Sequence, residues 1–167
     1  MTDMFPNSEF DNKRILHKLG LVLGKKGGGK KKIIIKWSDG TYRWIFSISG
    51  GEPGFLAFTN KLSVRAYLRK YTALVLGYLV NDSFFGVSTG YFDLCLSGAL
   101  NQALVVNNAD DWCVFAGSPG VARNIVVAIF KKGRVTSYLK TRLDNESIYL
   151  CADFPDRFNS EINSYRY

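Results

Sequence analysis

Apolar and polar positions along the chain change period several times, and each change marks a predicted element. Ile15, Leu16, Leu19, Val22 and Leu23 are spaced for one face of a short helix over 13–23, closed by Gly24. The stretch 24–32, Gly-Lys-Lys-Gly-Gly-Gly-Lys-Lys-Lys, has no apolar position and reads as a linker. Three consecutive isoleucines within 32–37 predict a strand buried on both faces. Ser38-Asp39-Gly40-Thr41 is a tight turn, and 42–49 continues as the partner strand of a hairpin. Gly50, Gly51, Pro53 and Gly54 then make a loop.

A long helix is predicted over 62–80, because Val64, Tyr67, Leu68, Tyr71, Val75, Tyr78 and Leu79 recur at helical spacing after a cap at Asn60 or Ser63. Segments 84–87 and 91–96 are strand-like, 99–106 is a short helix, and 112–116 is a buried strand. Gly117-Ser118-Pro119-Gly120 is read as a turn opening into an apolar helix over 121–132, with Gly133 as the residue that ends it. Strands follow at 135–139 and 148–152. Strands alternating with helices indicate an α/β (α+β) fold: one domain built on a mixed β-sheet flanked by helices.

Charge adds an asymmetry to this picture. The 167 residues carry 22 Lys/Arg against 14 Asp/Glu, a formal net charge of +8. Residues 12–36 hold nine of the basic residues (Lys13, Arg14, Lys18, Lys25, Lys26, Lys30, Lys31, Lys32, Lys36) and no acid. The expectation is a basic, flexible N-terminal arm over 1–31 on a near-neutral domain over 32–167. Such an arm suits a polyanion, and because its 24–32 stretch has no apolar face opposite the lysines it fits nucleic acid better than a membrane surface. The most apolar run, 71–80, is too short to span a bilayer. The acidic N-terminus shows neither a signal-peptide nor a transit-peptide pattern, so the protein is expected to act in the compartment where it is made.

No constellation of residues convincingly marks an enzyme, and no cofactor or small-molecule substrate is implied. His17, the single histidine, lies on the basic arm. Cys95, Cys113 and Cys151 are odd in number and lack a C-x-x-C, so reduced, buried thiols are expected rather than a disulfide framework or zinc site. Gly24 to Lys31 imitates a phosphate loop, but Lys31 stands where the magnesium-binding hydroxyl belongs and a strand follows instead of a helix. Asp110-Asp111 reads as a solvent-facing turn. The turn at 117–123 has more promise: backbone N–H groups at a helix start attract an anion, and Arg123 in the first turn adds a charge. Trp37 and Tyr42 are candidates for stacking on bases.

Two stretches resemble the eleventh protein of the small ribosomal subunit, a universal family of the subunit platform. The first is Ile33-Ile34-Ile35-Lys36-Trp37-Ser38-Asp39-Gly40-Thr41 with Ser47-Ile48-Ser49-Gly50, followed by Gly54-Phe55 and Lys61-Leu62-Ser63 before the long helix. The second and more specific is Val114-Phe115-Ala116-Gly117-Ser118-Pro119-Gly120-Val121-Ala122-Arg123, a helix, then Gly133-Arg134-Val135-Thr136-Ser137-Tyr138-Leu139. Against that family, 83–108 reads as an insertion. Residues 144–167, with five acids and two arginines, form an atypical acidic C-terminal extension where the family has a basic tail.

The resemblance implies a structural, non-catalytic constituent of the small subunit. It would bind small-subunit rRNA in the platform, beside neighbouring platform proteins and mRNA near the exit channel. The implied RNA contacts are the nine basic residues of 12–36, Lys61 and Arg65 at the start of the long helix, Gly117, Ser118, Gly120 and Arg123 at the turn, and Arg134. Richness in Phe, Tyr, Ile and Asn suggests an AT-rich organellar genome, hence mitochondrial location, with a bacterial cytoplasm as the alternative. A rival reading is a small viral coat protein with a genome-binding arm; a jelly-roll coat would lack long helices at 62–80 and 121–132.

Overall fold

Why the chain folds as it does is clearest in its centre, where one run of β-branched residues is buried on both sides. Residues 8–25, 28–49, 52–53, 87–120 and 122–151 are described by a computed structural model. Their elements in chain order are α1 (Ser8–Leu19), β1 (Leu21–Gly24), β2 (Lys30–Lys36), β3 (Tyr42–Phe46), β4 (Ile48–Ser49), β5 (Glu52–Pro53), β6 (Val87–Leu94), α2 (Ala99–Val106), β7 (Asp111–Ala116), β8 (Asn124–Lys131), β9 (Arg134–Arg142) and β10 (Ile148–Cys151). Eight strands form one sheet in the order β1-β6-β2-β3-β7-β8-β9-β10, and β4 pairs with β5 in a separate ribbon. The α+β class expected from the sequence is what the structure has. All pairings among the described residues are antiparallel, where a mixed sheet was expected.

The reason lies in β8. Residues 125–130, Ile-Val-Val-Ala-Ile-Phe, are all buried, and they alternate between two apolar layers. Ile125, Val127 and Ile129 join the layer that receives Ile15, Leu16 and Leu19 of α1 and Leu100, Ala103 and Leu104 of α2. Val126, Ala128 and Phe130 join the other layer, with Trp44, Phe46, Phe115 and Tyr138. A short continuous apolar run has no helical period to betray it, and β-branched residues favour the extended form. The helix predicted over 121–132 is therefore a strand. Gly133 does not cap a helix; with Lys132 it makes the two-residue turn of the β8–β9 hairpin, at φ 76° and 50° respectively.

The N-terminal segment also differs from expectation. From residue 8 onward it is no loose arm but part of the domain: α1 buries three residues in the core and β1 pairs with β6. Acidic Glu9 and Asp11 in the first turn of α1, and His17 and Lys18 in its last, complement the helix dipole. The helix stops at Gly20, whose φ of +70° suits glycine. Val22 and Leu23, expected on the helix face, are exposed on the edge strand β1 instead. Lys30 and Lys31, expected in a linker, belong to β2, which starts two residues earlier than the strand expected from Lys32.

The region read as an insertion supplies β6, which sits inside the sheet between β1 and β2, while residues 84–86 of the first strand expected there lie outside the described residues. The hairpin through Asp39-Gly40, the helix over 99–106 and the strand ending at Ala116 form as expected. The hairpin carries one irregularity, a register shift between Ile35 and Lys36 that leaves Arg43 unopposed between Tyr42 and Trp44. Of the acidic C-terminal segment, 144–151 is described, and its β10 closes the far edge of the sheet. The helix predicted over 62–80 lies outside the described residues.

Where α1 meets β1, Gly20 and Gly98 pack backbone against backbone: a Cβ placed on Gly98 would lie 2.8 Å from the Cα of Gly20. Gly20→Ala therefore combines a left-handed residue with overpacking, and is expected to lower unfolding free energy by about 2–4 kcal/mol. Gly28→Ala, whose added carbon meets nothing nearer than 3.8 Å, is expected to change it by less than about 0.5 kcal/mol. Urea denaturation of both variants checks the pair.

Candidate nucleic-acid interface

The run of nine basic residues that is continuous in sequence is divided by the fold. Strands β2, β7, β8 and β9 bring Lys30, Lys31, Lys131, Lys132 and Arg134 to one end of the sheet, since β2 and β9 start there and β8 finishes there. Lys13, Arg14, His17 and Lys18 gather on α1 at the other end, against the turn that follows β9. Arg14 donates to the Leu143 carbonyl at 3.1 Å, and the Lys18 ammonium donates to that of Asn145. Lys13 is exposed and paired with Glu9 at 2.8 Å. Lys36 is also at this end, exposed, 6.0 Å above the Tyr42 ring. Lys25 is exposed in the β1–β2 connection, whereas Lys26, Lys61 and Arg65 lie outside the described residues.

The first end is the more elaborate. Lys30, Lys31, Lys32, Ser47, Asp110, Asp111, Lys132 and Gly133 line an open groove of about 590 Å³. At its floor Lys32, only 1% exposed, is not available to a polyanion as expected. Its ammonium pairs with a carboxylate oxygen of Asp111, donates to Ser47 Oγ at 3.0 Å and to the Trp112 carbonyl at 2.9 Å, and lies 4.1 Å from the Trp112 ring centroid. Ser47 in turn donates to the second oxygen of Asp111. Burial lowers the pKa of Lys32, and Asp111 opposes that shift. Nearby, burial pushes the Cys113 thiol well above its ordinary value, so it stays protonated. Lys30 donates to the Asp110 carbonyl on the rim.

The turn expected to hold an anion at a helix start has no helix. Gly117 is buried and its N–H goes to the Asn124 carbonyl at 2.8 Å; Ser118 is half-buried and Gly120 exposed. Arg123, 2% exposed, is withdrawn into the protein: Nε donates to the Gly117 carbonyl at 2.7 Å and one Nη to that of Tyr42. It staples the β7–β8 turn to β3 rather than reaching for a phosphate. Burial lowers its pKa, while Asp11 and Asp39 oppose the shift. Tyr42 is itself buried, and Trp37 has the Arg43 guanidinium 4.2 Å from its ring centroid. The buried Tyr42 ring does not offer the face that stacking on a base needs, and Arg43 occupies one face of the half-buried Trp37.

Sequence reading missed Ser47, Asp111 and Lys132. Asp111 reads as an exposed turn residue, yet it opens β7 and its side chain is 14% exposed. The usable signal was a lysine directly preceding three isoleucines, the last of three in a row, which needs an acid within reach if its strand is buried. Lys32→Met leaves Asp111 without its cation and is expected to cost about 3–5 kcal/mol in urea denaturation, most of it recovered by adding Asp111→Leu. Cys113 should resist iodoacetamide in the native protein while the half-buried Cys95 and Cys151 react; mass spectrometry of labelled peptides reads the order.

No family model matches the chain, and neither a curated protein nor a solved structure matches it, so what this surface binds rests on its own residues.

Proposed function

We propose that the chain is a non-catalytic RNA-binding protein, with the small-subunit rRNA implied by the ribosomal resemblance as its ligand. The observation that carries this is the basic end of the sheet, where Lys30, Lys31 and Lys132 line an open groove and Lys131 and Arg134 flank the β8–β9 turn beside it. Cations displayed on a rigid frame neutralise phosphates and release counterions without ordering a loose arm first. The β2–β3 hairpin supports the first half of the resemblance; the second half keeps its order of strand, glycine turn and strand but has β8 where the family has a helix. A coat of the jelly-roll kind packs two sheets face to face, whereas eight of the described strands form one sheet; of the two helices that would speak against such a coat, that over 121–132 is a strand and that over 62–80 lies outside the described residues.

Structured RNA titrated at several salt concentrations tests this reading. Lys31→Glu, Lys132→Glu and Arg134→Glu together should flatten the slope of log affinity against log salt by about two to three, one phosphate contact per residue. In cells, the wild-type chain should sediment with the small ribosomal subunit in an RNase-sensitive manner. Recovery only in light, RNA-free fractions would end the ribosomal reading.

A further inference from the structure

The groove at the basic end of the sheet has a construction that attraction to a polyanion alone does not explain. One wall comes from Lys30 and Lys31 at the start of β2, the other from Lys132 and Gly133 in the β8–β9 turn, and Lys32, Ser47 and Asp111 form the floor. Lys132 sits at φ 50°, a conformation that side chains other than glycine seldom adopt. It is the first residue of a two-residue turn with both φ values positive, a position that ordinarily selects asparagine or glycine. Residues held against their backbone preference cluster at binding sites.

Asp110 holds both walls. Its carboxylate accepts the backbone N–H of Lys132 at 3.0 Å, and its carbonyl accepts the ammonium of Lys30. Asp111 is occupied below by Lys32 and Ser47. Four lysines against two aspartates leave the groove a formal charge of +2. That matches a phosphate monoester, a dianion near neutral pH, better than the single charge of a phosphodiester.

We propose that this groove is a binding pocket for a phosphomonoester group, clasped between Lys31 and Lys132 above the Lys32–Ser47–Asp111 floor. The pocket rests on the RNA-binding reading only for the source of its ligand, which is either the 5′-phosphorylated end of an RNA or a free phosphate-bearing small molecule.

The test compares one short single-stranded RNA in 5′-phosphorylated and 5′-hydroxyl forms by fluorescence anisotropy, with inorganic phosphate and AMP binding measured by calorimetry. Wild type is set beside Lys132→Asn and Lys31→Ala. Lys132→Asn is informative because Asn-Gly suits the turn, so its melting temperature should hold or rise while binding falls. The expected result is at least about tenfold tighter binding of the phosphorylated RNA, with the preference lost in both variants. If neither RNA binds but phosphate or AMP binds wild type and not Lys132→Asn, the pocket stands with a small-molecule ligand. Equal binding of both RNAs, unchanged by Lys132→Asn, overturns the pocket. Absence of binding by either RNA, phosphate or AMP also overturns it, and the titration of structured RNA decides the RNA-binding reading separately.

Discussion

A lysine taken out of water in the second strand of the sheet constrains everything around it. Lys32 cannot keep its charge there without Asp111, and Asp111 can meet it only if β7 lies in register on the far side of β3. Ser47, just past the end of β3, fills the space between them and bonds to both. The cluster therefore ties together three neighbouring strands at one end of the sheet. Its worth is not mainly energetic, because removing two charges from water costs about as much as their attraction returns. An apolar trio would hold the strands as firmly but with less to say about their alignment. The polar cluster also leaves its rim wet, and that rim is where the remaining lysines stand.

The fold was legible in the sequence wherever a local signal was strong enough to act alone. Asp39-Gly40 between two apolar runs announces a hairpin, and Asp39 accepts from both the N–H and the hydroxyl of Thr41, at 2.9 and 2.8 Å, as such a turn requires. The short helix ending at Val106 and the strand ending at Ala116 are similarly self-contained. Reading failed where burial on two faces erased the period. Residues 125–130 are apolar throughout, and only their neighbours on β7 and β9 decide between helix and strand. The preceding glycine turn, read as a helix start, made the error systematic, and Arg123 followed it: an arginine expected in solvent proved to be a buried staple.

The basic segment shows the complementary failure. A string of lysines and glycines looks unfoldable when judged by composition. Yet Lys30 and Lys31 are exposed ladder residues of a strand whose apolar half begins only two positions later, and the ladder is set by β6, a segment about sixty residues away in the chain. No local pattern could have revealed that partner. What the charge count did convey correctly is that this part of the chain carries the excess of cations; what it could not convey is their division between two ends of one sheet.

That division bears on the size of whatever binds. Along β9 the two ends are separated by the eight steps from Arg134 to Arg142, or roughly 26 Å at about 3.3 Å per residue. Charges screen one another beyond about 8 Å at physiological ionic strength. The two patches therefore act as independent points of attraction, and no mononucleotide or single phosphate can sense both. Only an extended or folded polyanion bridges them, gaining from each patch and losing from each as salt rises. A small ligand would draw on the groove at Lys31 and Lys132 alone and leave α1 without effect. The frame between the patches is a sheet with buried faces on both sides, stiff enough to keep their spacing fixed. Fixed spacing selects polyanions by the shape of their phosphate surface rather than by sequence, which is how folded RNA is most readily told from a random strand.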